Sequence, residues 1–456
     1  MRDDERGSAE ARRARLTRRQ LVRGAAVGAV ARTVAGVARL SPVPALGAVA
    51  ASAVLPSKTL VFALSDTDAA KVRPLVDDYA KRNNIAIQVE ASPYASLLEK
   101  LTINLTQDTG AYDIVSMDDP WIPQFAGGGS LVNLREMMDK AGIRPDADFI
   151  PELLALGDFP AGSGLWAIPW LGNIQVFAWR SDTLRELGMT RPRSWDEVVE
   201  VAGAITRLKG ARGFYGFGLR GQTGNPAATS FLPVLRGHGT DLFDETWEPQ
   251  LETPAAIAAM ATHLALAKLA PPGVETVGHD ANGRNMYEGT IAQSGDIWPD
   301  QLLQIYDPAI SKVAGKVEIG GEPAQAGVKP ANMTGNWLLG IPDGSQYAED
   351  ALAFILWFTA AEQQRRLLLE YDMPATRTSV LEDAAAVAKL PFLPGLLAAA
   401  RQALPRPRTP HYNAVETIVG RWVAGAIAGE IAGEEAMARA NSEIRALMVR
   451  EGVIEG

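Results

Sequence analysis

The sequence predicts an α/β protein built from two α/β units. Three observations carry that prediction: a chain too long for one hydrophobic core, an alternation of strand and helix patterns that begins at residue 59, and a restart of that alternation after residue 182. At 456 residues the chain exceeds the roughly 250–300 at which single cores stop growing. "TLVFAL" (59–64) reads as a buried strand that "SDTD" breaks, and Val72, Leu75, Val76 and Tyr79 follow at helical spacing. "IAIQVE" (85–90) is a second strand. Ser92 and Pro93 suit an N-cap and first turn ahead of Leu97, Leu98, Leu101 and Leu105. The third strand is the aliphatic start of "YDIVSMDDPWIPQF" (112–125). Strand, helix, strand, helix, strand implies an open sheet, and such sheets bind ligands beyond the carboxyl ends of their strands. "SDTD" and "DDPW" sit at those ends.

The second unit follows "LWAIPWLGNIQVFAWRSD" (165–182). Ser194 and Glu197 have capping-box spacing ahead of Val198, Val201, Ala202, Ile205 and Leu208. "FYGFGLRG" (214–221) is expected as a strand. Thr253 and Pro254 open a helix that should turn Ile257, Met260, Ala261 and Leu264 inward. "GTIAQSGDIW" and "GNWLLGIP" read as short strands, each carrying a tryptophan. A helix from about residue 347 buries Leu352, Ile355, Leu356 and Phe358, and the chain is helical again over 436–448. "PRPRTP" (405–410) reads as an exposed connector.

Composition excludes whole classes of chemistry. With no cysteine there are no disulfides, thiolate metal sites or thiol nucleophiles, and the four histidines lack metal-motif spacing, so neither a metal nor a cofactor is expected. The first 53 residues carry ten arginines against four acids and then turn to small apolar residues. "TRRQLVR" (17–23) resembles a twin-arginine export signal, and "AVAASA" (48–53) offers A-x-A cleavage sites. Residues 1–53 are therefore expected to be an export signal, and the mature protein soluble, periplasmic and without a lipid anchor. Taking the leader's ten basic and four acidic residues from totals of 44 and 53 leaves 34 against 49, a net charge of −15. Nucleic acid is a poor partner for such a chain.

Several segments, taken in order, resemble the extracellular solute-binding proteins of ABC importers, in the large sugar-binding family that includes maltose-binding protein. They are "YDIVSMDDPWIPQFAGGGSLVNL", "LWAIPW…VFAWRSDTLRELGM…PRSWDEV", "GNWLLGIP" with Asn336 in place of a second glycine, "MPATRTSV" and "RPRTPHYNAV". The resemblance implies a two-lobed periplasmic binding protein fold of type II. Lobe 1 would hold 54–172 with 336–376, and lobe 2 would hold 173–335 with 377–456. Hinge crossings are expected near 169–173, 334–340 and 374–379, with a ligand cleft between the lobes. It also implies a small-molecule carbohydrate ligand (an oligosaccharide, monosaccharide or polyol), with a non-sugar solute such as glycerol phosphate as the alternative, ABC permease subunits as partners, and a monomer that closes around its solute.

Sugar recognition needs flat aromatic faces and planar groups that bond adjacent hydroxyls. Asp118 and Asp119 are acceptors at a strand end with Trp121 adjacent; the competing reading is a turn, a helix cap and a core indole. The resemblance adds Asn173 as a polar contact, Trp298 and Trp337 as stacking surfaces, Arg377 as a crossing basic residue, and Tyr412 and Asn413 as a ligand-facing helix start. Trp170 reads equally as platform or core, and Ser65, Asp66 and Tyr94 as ligand contacts or as turn and cap residues. Two enzyme readings compete. A glycosidase needs carboxylates roughly 5 to 10 Å apart across one bond, which consecutive residues do not readily provide. A redox enzyme needs a cofactor motif, and no G-x-G-x-x-G follows the first strand. The sequence thus favours capture over catalysis.

Overall fold

The computed structural model describes residues 57–456, so the expected export signal at 1–53 lies outside the described residues. The described chain has two lobes. Lobe 1 is built on a five-stranded sheet ordered β2-β1-β3-β8-β4, from β1 (Thr59–Ser65), β2 (Ala86–Ser92), β3 (Ile114–Asp118), β4 (Ala167–Leu171) and β8 (Trp337–Gly340). β1 runs parallel to β2 and β3, as the strand and helix alternation implies. β8 arrives from more than two hundred residues away and inserts antiparallel between β3 and β4, pairing Asp118 with Trp337. The Asp66–Asn83 helix buries Val72, Leu75, Val76 and Tyr79, the stripe that periodicity gives.

Lobe 2 holds a three-stranded antiparallel sheet ordered β6-β5-β7, from β5 (Val176–Arg180), β6 (Gln293–Ile297) and β7 (Val317–Gly320). One buried apolar cluster is centred on the five-stranded sheet and reaches across to Val176 and Ile297. The other gathers Trp179, Trp195, Phe231, Tyr412 and the Gly433–Arg450 helix. Ser194 caps the Trp195–Lys209 helix through the Glu197 amide, and Glu197 reaches back to the amide of Arg193 rather than of Ser194.

Four expectations need correction. "FYGFGLRG" is not a strand. It makes a single parallel bridge, Tyr215 to Ile291, and Gly216 lies so close to the Trp195–Lys209 helix that a Cβ there would sit 2.0 Å from the Ala202 carbonyl oxygen. The Pro254–Ala267 helix buries Ala256, Ala259, Met260, His263, Leu266 and Ala267, a face rotated from the one expected, and Ala261 is exposed. An alanine-rich helix has too little amphipathic contrast to fix its own rotation. β2 extends to Ser92, so Pro93 takes the cap and Tyr94 begins the helix. Finally, "PRPRTP" is not an exposed connector: Arg406 is 2% exposed and Arg408 is half-buried.

The lobes meet where chain segments cross. The Gly335 amide donates to the Asn173 carbonyl at 2.9 Å, and the Gly172 amide to the Pro374 carbonyl at 2.9 Å. The Thr334 amide donates to the Leu404 carbonyl at 3.1 Å. Gly172 is required there, since a Cβ would sit 2.2 Å from the Ala375 carbonyl oxygen.

Candidate functional site

The sheet topology brings to one place the carboxyl ends of β1, β2, β3 and β4 and the start of β8, facing the junction of the lobes. Asp118 is the last residue of β3 and Asp119 opens the turn after it. Both are buried, and both converge on one guanidinium. Arg406 Nη2 donates to Asp118 Oδ1 at 2.5 Å and to Asp119 Oδ1 at 3.2 Å, while Nη1 lies 3.8 Å from Glu416 Oε1. Tyr94, in the first turn of the helix after β2, donates its hydroxyl to Asp118 Oδ2 at 2.8 Å, and the Asn336 amide donates to Asp119 Oδ2 at 3.0 Å. Arg408 ties the same segment to lobe 1 through the carbonyls of Asp119, Leu156 and Asp158.

Burial pushes the Asp118 carboxyl up to about 6; Arg406 pulls against that, and the neighbouring Asp119 adds to it. Burial also works against the charge on Arg406, but Asp118, Asp119 and Glu416 outweigh it and hold the guanidinium well above its usual value. Burial beside Asp118 likewise raises the Tyr94 phenol far above its usual range.

Three aromatic rings stand beside this ion cluster. Tyr94 and Trp121 have centroids 4.9 Å apart, Trp121 and Trp337 5.5 Å, and Tyr94 and Trp337 5.9 Å. Several polar atoms here are buried without a hydrogen-bond partner among the described residues: Trp121 Nε1, both amide atoms of the Asn336 side chain, Arg406 Nε and Glu416 Oε1. Each unmet buried group costs about 1–3 kcal/mol, and none of these residues lines the interlobe cavity.

On the lobe 2 side, Trp298 follows β6. Its Nε1 donates to Asp296 Oδ1 at 2.9 Å, the Arg220 guanidinium lies 5.6 Å from its ring, and its ring packs on Gly335, where a Cβ would approach within 2.4 Å. Asp296 also pairs with Arg220 at 2.6 Å and accepts from Gln175 at 2.8 Å. Burial opposes its ionisation, yet Arg220 and these donors hold the carboxyl below its usual value. A cavity of about 220 Å³ between the lobes is lined by Asp68 and Lys71 after β1, by Asn173 and Trp337 at the crossings, and by the His279 and Asp300 pair of lobe 2.

Of the residues singled out from sequence, Asp118, Asp119, Trp121, Tyr94 and Trp337 lie in one cluster, and Asn173 and Trp337 share the cavity. Tyr412 is buried a turn before Glu416, and Asn413 donates to Gln124 Oε1 at 3.1 Å across the lobe junction. Ser65 is buried, with its hydroxyl 2.9 Å from that of Thr67, and Asp66 is exposed in the first helical turn. Trp298, which is bonded to Asp296 and lies outside the cavity lining, stands apart from the cluster, as do Trp170 and Arg377. Trp170 is fully buried, donates to Ser116 Oγ at 3.0 Å and packs on Phe358. Arg377 is spent on Asp146 at 2.7 Å, on the Thr359 carbonyl at 2.8 Å and on the face of Phe149 at 3.6 Å. Sequence reasoning missed Arg406, Arg408, Glu416 and the Arg220–Asp296 pair, and reached Asp68 only as part of "SDTD". It noticed Asn336 only as a departure from a motif.

Comparison with known proteins agrees with this architecture. The profile of the bacterial extracellular solute-binding proteins matches residues 64–365. A probable amino-acid ABC transporter periplasmic-binding protein of Sinorhizobium fredii is 25% identical over 414 residues, 87% of this chain and 90% of that protein. The mannitol-binding protein of Pseudomonas aeruginosa is 26% identical over 314 residues, 63% of this chain and 70% of that protein. Among solved structures, the ABC transporter solute-binding protein of Agrobacterium radiobacter K84 in complex with ribitol superposes with a TM-score of 0.79 at 25% identity, over 86% of this chain and 99% of that one. A solute-binding protein of Agrobacterium vitis S4 with bound D-mannitol gives 0.76 at 25% identity, over 87% and 99%. With its two lobes, its crossing segments and a profile match spanning most of both, the chain belongs to the bacterial extracellular solute-binding proteins.

Proposed function

We propose that this protein is the periplasmic substrate-binding component of an ABC importer, and that it captures one small polyol or monosaccharide between its lobes for delivery to the membrane permease. The observation that carries this reading is the interlobe cavity, lined by the polar groups of Lys71, Asn173, His279 and Asp300 and by the Trp337 indole. Such a set complements a molecule with hydroxyls on one side and C–H faces on the other. The cavity has a volume of about 220 Å³, and a further cavity of about 670 Å³ shares Lys71, Asp300 and Asp372 with it. The relatives that carry ribitol and mannitol support the same class.

Asp118 and Asp119 act here through Arg406 and Tyr94, which they orient, with Trp337 and Asn173 facing solute. Two carboxylates on one guanidinium are placed for grip and not for bond cleavage, where they would stand on either side of a glycosidic oxygen.

A thermal-shift screen tests the reading. Ribitol, D-mannitol, hexoses, disaccharides, glycerol phosphate and amino acids are compared; a ligand at a hundred times its Kd adds about 2.7 kcal/mol. Small polyols or monosaccharides are expected to raise the melting temperature by several degrees. A shift from amino acids or disaccharides alone would remove the proposed solute class. Export is proposed to run through the twin-arginine route, as a soluble monomer with no lipid anchor. Changing Arg18 and Arg19 to Lys should trap precursor in the cytoplasm, and normal periplasmic accumulation of that variant would count against the route.

A further inference from the structure

Lobe 2 holds a buried acid whose two oxygens both lack a partner. Glu322 follows β7 and is 2% exposed, and neither of its carboxyl oxygens has a hydrogen-bond partner among the described residues. The carboxyl reaches across the sheet to β6: a Cβ at Gly295 would stand 2.8 Å from Glu322 Oε2 and 2.8 Å from the Trp195 ring, so only glycine leaves it room. Asp296, the next residue of β6, is also buried, and it takes the donors at hand: Arg220 at 2.6 Å, Gln175 at 2.8 Å and Trp298 at 2.9 Å. Glu322 is left with none.

The charged side chains on the surrounding elements are Arg191, Arg193 and Asp196 around the start of the Trp195–Lys209 helix, Arg180 on β5, Asp296 on β6 and Glu318 on β7. Of these, Asp296 and Arg191 act on the Glu322 charge, with opposite signs. Arg191 is exposed and does not bond the carboxyl. Its Nη2 donates to the Gly321 carbonyl at 2.6 Å, and its guanidinium lies 4.7 Å from the Trp179 ring and packs on Gly320, where a Cβ would be 2.9 Å away. An unpaired carboxylate is costly to bury and a carboxylic acid much less so, so the acid keeps its proton for as long as it stays on β6.

We propose that Glu322 and Arg191 form a proton-operated latch in lobe 2. With its proton, Glu322 rests on Gly295 and holds the segment after β7 over the sheet, while Arg191 bonds the Gly321 carbonyl. Without it, the carboxylate leaves this site for solvent and the Arg191 guanidinium, which gives up Gly321, and the segment comes free of β6. Burial, and after it Asp296, push the Glu322 carboxyl well above its usual value of 4.5, with Arg191 pulling against them. An acid raised in this way holds its proton more tightly in the folded state. Its contribution to stability is full below the usual value and is lost as pH rises toward the folded one, so the latch is closed in mildly acid medium and opens toward alkaline pH.

Melting of the unmodified protein, Glu322→Gln and Arg191→Gln at pH 5 and pH 9, with infrared spectra at pH 7, tests this. Glutamine has the shape of the protonated acid and no charge to gain. Between the two pH values the melting temperature of the unmodified protein is expected to fall by several degrees more than that of Glu322→Gln. At pH 7 the unmodified protein should show a carboxylic acid C=O band that Glu322→Gln lacks. Arg191→Gln changes an exposed residue and should fold; having lost the cation that favours the ionised acid, it should show the largest fall of the three. Equal falls in the unmodified protein and Glu322→Gln, or identical carboxylic acid bands, would mean that Glu322 does not hold the proton and overturn the inference. A fall in Arg191→Gln no larger than in the unmodified protein overturns the latch by removing its second member. Neither result bears on the solute reading.

Discussion

Replacing Arg406 by Ala is expected to lower the stability of the ligand-free protein by about 3–5 kcal/mol and to abolish solute binding. Removing one partner of a buried ion pair leaves the other charge desolvated and unpaired. Here a single guanidinium serves Asp118 and Asp119, at 2.5 and 3.2 Å, with Glu416 close by, and all four residues are buried. The pair also joins the lobes, because Asp118 ends a strand of lobe 1 while Arg406 leads into the Tyr412–Ile427 helix packed in lobe 2. Arg406→Lys should recover only part of the loss, since an ammonium reaches one carboxylate where the fork reaches two. Denaturant melts of Arg406→Ala, Asp118→Asn and the double variant measure the coupling. Values of roughly 0.5–3 kcal/mol are usual for contacting residues, and additive effects would mean that the ion pair is not formed in solution.

The second large effect separates two tryptophans that the sequence offers as candidate ligand surfaces, Trp337 more strongly than Trp170. Trp170→Ala should cost about 3–5 kcal/mol, as expected for removing a fully buried indole, and should leave the affinity of the surviving folded protein unchanged. Its ring packs on Phe358, and its Nε1 donates to Ser116, both within lobe 1. Trp337→Ala should behave in the opposite sense. It lines the interlobe cavity, so solute affinity should fall by about tenfold with a smaller loss of stability. Ligand-free melts and solute titrations on the two variants decide the matter. Weakened binding by a stable Trp170→Ala would return that residue to the site.

What the sequence could reveal follows from how local each signal is. β1, β3 and the Asp66–Asn83 helix were readable because their apolar periodicity lies within one element. Acids at the end of β3 were visible for the same reason. Their partner was not, because Arg406 lies 288 and 287 residues away and sits between prolines, a pattern that in isolation means a solvated connector. The antiparallel insertion of β8 is likewise a long-range pairing, and "WLLG" carries no mark of its register. Asp68 lies in "SDTD", which the sequence placed at a strand end, but acids in a first helical turn are common and nothing local marks this one as buried.

The most direct measurement is a crystal structure of the protein with the solute identified by thermal shift. The account predicts density for that solute between the lobes, against the Trp337 indole, with at least one of Asn173, Lys71, His279 and Asp300 bonded to it. Solute bound elsewhere, with that cavity holding only water, would contradict it.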